Sequence, residues 1–89
     1  MISYALLGMI EKVNKKIPIT FEQVNHRLVV HLLKGEFILE MREDHILLTY
    51  LYISYGYTLK FYNFQTVENH IIKCYLRQKK EKQQLKIYL

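Results

Sequence analysis

From Ile19 to Tyr62 apolar and polar side chains alternate, and a period of two sustained over that length commits the segment to half-buried strands. The stretch divides at Asn25-His26, Lys34-Gly35, Glu43-Asp44 and Tyr55-Gly56, dipeptides that each suit the centre of a two-residue hairpin loop. With those centres the register of every strand follows. Ile19, Phe21 and Gln23 face Leu32, Val30 and Leu28, which in turn face Phe37, Leu39 and Met41. Phe37, Leu39 and Met41 face Tyr50, Leu48 and Ile46, and on the last hairpin Tyr50, Tyr52 and Ser54 face Phe61, Leu59 and Tyr57. Nearly every large apolar residue then lies on one common face, whereas a one-residue slip at any turn would send the following strands' apolar residues to the other. Glu43-Asp44 and Asn25-His26 are the weaker turns, since neither supplies the glycine that a tight primed turn prefers.

On both sides of this segment the period becomes helical. Ile2, Leu6, Met9, Ile10, Val13 and Ile17 share a face opposite Glu11, Lys12 and Lys15, which predicts a helix over about 3–16 that stops before Pro18. After Asn63, a suitable N-cap, the residues Phe64, Val67, Ile71, Cys74 and Tyr75 share a face and predict a second helix over about 64–82. The tail, residues 83–89, ends in the alternating Leu85-Lys86-Ile87-Tyr88-Leu89 and reads as a short edge strand or an apolar anchor. The expected fold is a single α+β domain over 1–89, a five-stranded antiparallel β-meander (sheet about 19–62) flanked by an N-terminal and a C-terminal helix, αβββββα. A competing reading takes Thr20-Phe21-Glu22-Gln23 as a capping box opening a helix that ends at Gly35, the outline of a winged helix-turn-helix. The adjacent β-branched Val29 and Val30, and an alternation that matches the next strand, favour the meander.

Eighty-nine residues, about half of them apolar, with four Gly and Pro in total, suit one small folded domain. The single Cys74 closes no intramolecular disulfide, so a cytoplasmic location is expected. Met1 to Ile10 is apolar but runs directly into Glu11 and Lys12, and the longest uncharged run, Ile46 to Leu59, is too short to span a bilayer; no membrane role is expected. A bias to Ile, Lys, Tyr, Phe, Asn and Met, with one Ala, points to an AT-rich genome.

No catalytic, metal or cofactor motif emerges. His26, His31, His45 and His70 lack ligand spacing, and Cys74 reads as a small buried hydrophobe with Lys73 and Arg77 turned to the other side of the helix. Glu36, Glu40, Glu43 and Asp44 read as solubilising charges, and Tyr50, Tyr52 and Tyr57 as core aromatics. The expectation is therefore no enzyme and no cofactor.

Two surfaces stand out. Residues 1–44 carry six acidic and six basic side chains, while residues 45–89 carry two acidic and seven basic, so the net charge of +5 lies wholly in the second half. There Lys73, Arg77 and Lys80 repeat at i, i+4, i+7 with His70 on the same side and Lys79, Lys82 and Lys86 close by, a row suited to phosphates or an acidic protein groove. The outward sheet face is the second. It shows Val29, Leu33, Ile38, Leu47, Leu51, Ile53 and Tyr62 among Glu22, Glu36, Glu40, Arg42 and Lys60, too apolar for a wholly wet face. Either one helix covers each side of the sheet, or this face meets a partner or a second copy. Tyr62 beside Lys60 also suits stacking on a base. The sequence thus reads as a small binding protein that docks on a protein or nucleoprotein, as a regulator or inhibitor carried by a phage or mobile element would. The alternative is a nucleic-acid-binding protein.

Overall fold

The computed structural model describes residues 3–88, with side chains as far as Lys82. It is the expected αβββββα arrangement. Helix α1 (Tyr4–Asn14) ends in a tight turn in which the Ile17 N–H donates to Val13 O, and the Asn14 side-chain oxygen accepts the Ile19 N–H at 3.2 Å, redirecting the chain before Pro18. Strands β1 (Thr20–Val24), β2 (Arg27–His31), β3 (Glu36–Met41), β4 (Ile46–Tyr52) and β5 (Tyr55–Phe61) form one antiparallel sheet in the order β1-β2-β3-β4-β5. Strand, not helix, over 20–24 and 27–31 removes the winged-helix reading. Helix α2 (Phe64–Tyr88) is capped by Asn63, whose side-chain oxygen accepts the Thr66 N–H at 2.9 Å. Its backbone carries residues 85–88 in the helix, so they form no edge strand; the side chains of 83–88, Lys86 among them, and residues 1, 2 and 89 lie outside the described residues.

The first and third hairpins have the expected register, Phe21 opposite Val30 and Leu39 opposite Leu48, with turns at Asn25-His26 and Glu43-Asp44. Asn25 supplies the positive φ, 58°, that a short turn requires and that asparagine tolerates. The other two hairpins correct the sequence reading. Leu28 pairs with Leu39 and Val30 with Phe37, which centres the second turn on Leu33-Lys34. Tyr50 pairs with Tyr57 and Tyr52 with Tyr55, which centres the fourth on Ile53-Ser54. The second centre lies one position and the fourth two positions from its expected place, so the strands re-pair by two and by four residues, and an even shift keeps every side chain on its face. Gly56 serves another purpose, since a Cβ there would lie 2.8 Å from Tyr50 O. Gly35 serves both, its φ of 84° closing the turn through the Leu32 N–H to Gly35 O bond and its missing Cβ leaving room for Leu51 O at 2.5 Å.

The common apolar face is the core. Leu28, Val30, Phe37, Leu39 and Leu48 are fully buried beneath Leu6, Ile10 and Val13 of α1 and Val67 and Ile71 of α2, while Phe21 and Phe61 close the margins half-buried. Both helices lie on this one side, joined by a Lys12–Glu68 ion pair at 3.7 Å that neutralises a buried carboxylate. Among the described residues no helix covers the opposite side of the sheet.

Ile53 carries a φ of 54° at the tip of the last hairpin and is 90 % exposed. A β-branched side chain there is strained and gains nothing from burial. Ile53→Asn should therefore raise stability by about 1 kcal/mol, read as a Tm increase of about 4–8 °C; an unchanged or lower Tm would show that the turn holds no strain.

Candidate binding surfaces

The uncovered side of the sheet is built by register. Three rows cross it from β1 to β5: Val24, Arg27, Glu40, Leu47, Lys60; then Glu22, Val29, Ile38, Thr49, Thr58; then Thr20, His31, Glu36, Leu51, Gly56. Val29, Ile38 and Leu47 are only half-buried by their neighbours, and Leu51 and Leu33 are exposed. Polar side chains of this face lie beside one another. Glu40 meets Arg27 at 3.7 Å and Arg42 at 3.3 Å, and His31 stands 3.4 Å from Glu22 and 3.6 Å from Glu36. The outcome is an apolar band in which Glu40 is compensated by two arginines, less hydrated than a wet sheet face.

Of the expected contact residues, Leu47, Leu51 and Lys60 lie on this face. Tyr62 lies beyond β5, 73 % exposed, its ring 6.4 Å from that of His45 beside a depression of about 420 Å³ lined also by Arg42 and Phe64. In that depression His45 hydrogen-bonds Asp44 at 2.6 Å, and this bond is the main cause holding the Asp44 carboxyl below its ordinary value.

The basic row on α2 is only partly as expected. Lys73, Arg77 and Lys80 are exposed, but His70 turns inward, its ring 5.5 Å from those of Phe37 and Phe61 and 5.9 Å from that of Tyr57. Burial, helped by the charges of Arg77 and Lys73, keeps the His70 pKa below its ordinary value. Arg77 is not turned away from Cys74: its Nη2 sits 3.8 Å from Sγ. Cys74 is buried, as expected of a small hydrophobe, with His70 Nε2 at 3.6 Å and Tyr57 Oη at 3.9 Å. The imidazole thus has a phenol and a thiol as partners, not the carboxylate that would orient a catalytic base. Burial, followed by the neighbouring thiol, raises the Tyr57 pKa far above that of a free phenol, so it stays a neutral hydroxyl.

Where α2 crosses the end of the sheet, a cleft of about 280 Å³ opens between helix and hairpins, lined by Lys34, Tyr50, Tyr55, Tyr57, Cys74, Arg77, Gln78 and Glu81. Gln78 fixes its inner wall. Its amide nitrogen donates to Lys34 O at 3.0 Å and to Tyr50 Oη at 3.3 Å, its oxygen accepts the Lys34 N–H at 2.9 Å, and the Tyr50 hydroxyl donates to Lys34 O at 2.6 Å. Tyr50 and Tyr57 stack at 5.2 Å and Tyr55 meets both edge-on at 6.2 Å. Lys34 pairs with Glu81 at 3.9 Å. Sequence reasoning missed this assembly because it placed Tyr55 in a turn. The available signal was Gln78, a polar residue four and seven positions beyond Cys74 and Ile71 on an otherwise apolar stripe.

Among the described residues no group of acidic, His or Cys side chains is arranged to hold a metal ion, and no helix is long and apolar enough to cross a membrane. No family model matches the chain, and no curated protein or solved structure is significantly similar to it.

Proposed function

We propose that this chain is a small non-catalytic binding protein that docks a protein partner on the uncovered face of its sheet, a second copy of the chain being the first such partner. The observation that carries this reading is the placement of both helices on one side, which leaves the band of Val29, Ile38, Leu47 and Leu51 open. The band is also suited to pairing with itself. A twofold axis along the strands sets β3 on β3 and β1 against β5 of the other copy, so Ile38 meets its counterpart, Val29 meets Thr49 and Leu47 meets Arg27. Glu36 and Glu40 also meet their own counterparts, the latter with Arg27 and Arg42 beside it. The same operation brings Lys60 on one edge over Val24 on the other, one row from Glu22, which places two pairs of opposite charges per dimer near the rim. Size and compositional bias suit a regulator or inhibitor carried by a phage or mobile element, acting by occupying a surface.

Sedimentation equilibrium at tens of micromolar tests the proposal. The wild type should sediment as a dimer. Leu47→Lys, which alters the interface twice, should raise the dimer Kd by about a hundredfold or more while Tm changes little. A monomeric wild type removes the second copy as partner. Unchanged mass with marked destabilisation in Leu47→Lys would make the band part of the fold's own packing and overturn the reading.

A further inference from the structure

On the other side of the molecule, independent of the sheet face, we infer that the cleft between α2 and the β4–β5 hairpin is a binding site for single-stranded nucleic acid, with one base stacked on Tyr55 and the adjoining phosphates on Arg77, Lys73 and Lys80. Three observations converge. Tyr55 is 63 % exposed although its ring is packed in T-shaped contacts with Tyr50 and Tyr57, so it is an anchored aromatic that still offers most of its surface to a ligand. Opposite it Arg77 lines the cleft, and Lys73 and Lys80 continue the positive flank one helical turn to either side. The cleft, at about 280 Å³, lies at the small end of ligand sites and suits one nucleotide unit.

The chemistry separates this ligand from its rivals. A duplex hides the faces of its bases in the stack and can use only the charged flank, whereas a single strand can use the flank and the ring together. An acidic polypeptide also suits the flank but has no use for an exposed tyrosine ring. Glu81 stands in the cleft with its charge engaged by Lys34 at 3.9 Å, which leaves Arg77 to meet the phosphate. The guanidinium suits that role, presenting several donors in a fixed plane.

Fluorescence anisotropy with a labelled oligothymidylate of about twelve nucleotides at low salt tests the inference. The wild type should bind it at least about tenfold more tightly than a duplex of the same length. Tyr55→Ala should weaken binding by about tenfold or more and Tyr55→Phe should keep it, since stacking needs the ring and not the hydroxyl. Replacing Lys73, Arg77 and Lys80 with Gln should reduce the slope of log K against log salt by about 2, at about 0.7 per phosphate contact on a single strand. Circular dichroism and Tm of each variant guard against unfolding, and if Tyr55→Ala fails to fold, Tyr55→Phe and the triple variant still decide. Absence of binding at low salt, equal affinity for duplex, or a folded Tyr55→Ala variant that binds like wild type would overturn the inference. So would polyglutamate binding as tight as that of the oligonucleotide, which would assign the flank to an acidic protein surface.

Discussion

Gly35→Ala should destabilise the protein by about 3 kcal/mol and lower its Tm by roughly 12–24 °C. Gly35 has a φ of 84°, a conformation that costs an alanine about 1–2 kcal/mol by itself. The added Cβ would also stand 2.5 Å from Leu51 O, 2.8 Å from Tyr50 Oη and 2.9 Å from Tyr50 Cζ. The first of these atoms is backbone in a paired strand, held by the register that sets Glu36 opposite Leu51, so it cannot swing aside. Displacing Tyr50 instead would pull its hydroxyl off Lys34 O and disturb the Gln78 amide that binds both. Urea titration should show a lower midpoint with an unchanged slope. A midpoint equal to wild type would mean that β3 and β4 do not approach this closely.

Acid should weaken the fold through His70. Its pKa in the folded chain is lowered by burial first and by Arg77 and Lys73 second, while in the unfolded chain it returns to the ordinary histidine value, about 6.5. Between those two values the unfolded state binds the extra proton. Stability is therefore complete above about pH 6.5 and is lost as pH falls from there through the lower folded value. The groups packed on the ring oppose its charge or leave it unsupported: Phe37 and Phe61 are apolar, Tyr57 offers a neutral hydroxyl, Cys74 lies beside it through Sγ, and Lys73 and Arg77 are cations. Because the ring is only half-buried, solvent screening reduces the effect to a drop in Tm of about 4 °C from pH 7.5 to pH 5. His70→Gln, which can still hydrogen-bond Tyr57, should flatten that part of the profile. Parallel profiles for the two proteins would show that His70 is not the titrating group.

The sequence made the fold legible because its main signals were independent and agreed: alternation from Ile19 to Tyr62, two helical stripes, the stop at Pro18 and the cap at Asn63. Register was legible only as to face. A glycine that permits a turn and one that permits two backbones to approach look the same in sequence; Gly56 was of the second kind and Gly35 of both. The side of the sheet on which each helix packs was also hidden, because either arrangement buries the same helical stripes. The cleft was the least legible part. It depends on Tyr55 opening β5 and on Gln78 reaching Lys34, a contact between residues forty-four positions apart that no local period encodes.

The strand order has a consequence for how the chain reaches this state. Each strand pairs only with its neighbour in sequence, so the sheet can zip hairpin by hairpin with short loops to close, and such local pairing is fast. The exception is α2, which follows the last strand yet must complete a core begun by α1 at the other end of the chain. During synthesis, which adds residues in order, Leu28, Phe37, Leu39 and Leu48 therefore exist as a formed but half-roofed apolar surface until the segment from Val67 to Gln78 has emerged. The last quarter of the chain sets the interval during which a nascent molecule is sticky, and slow translation there lengthens its exposure to aggregation.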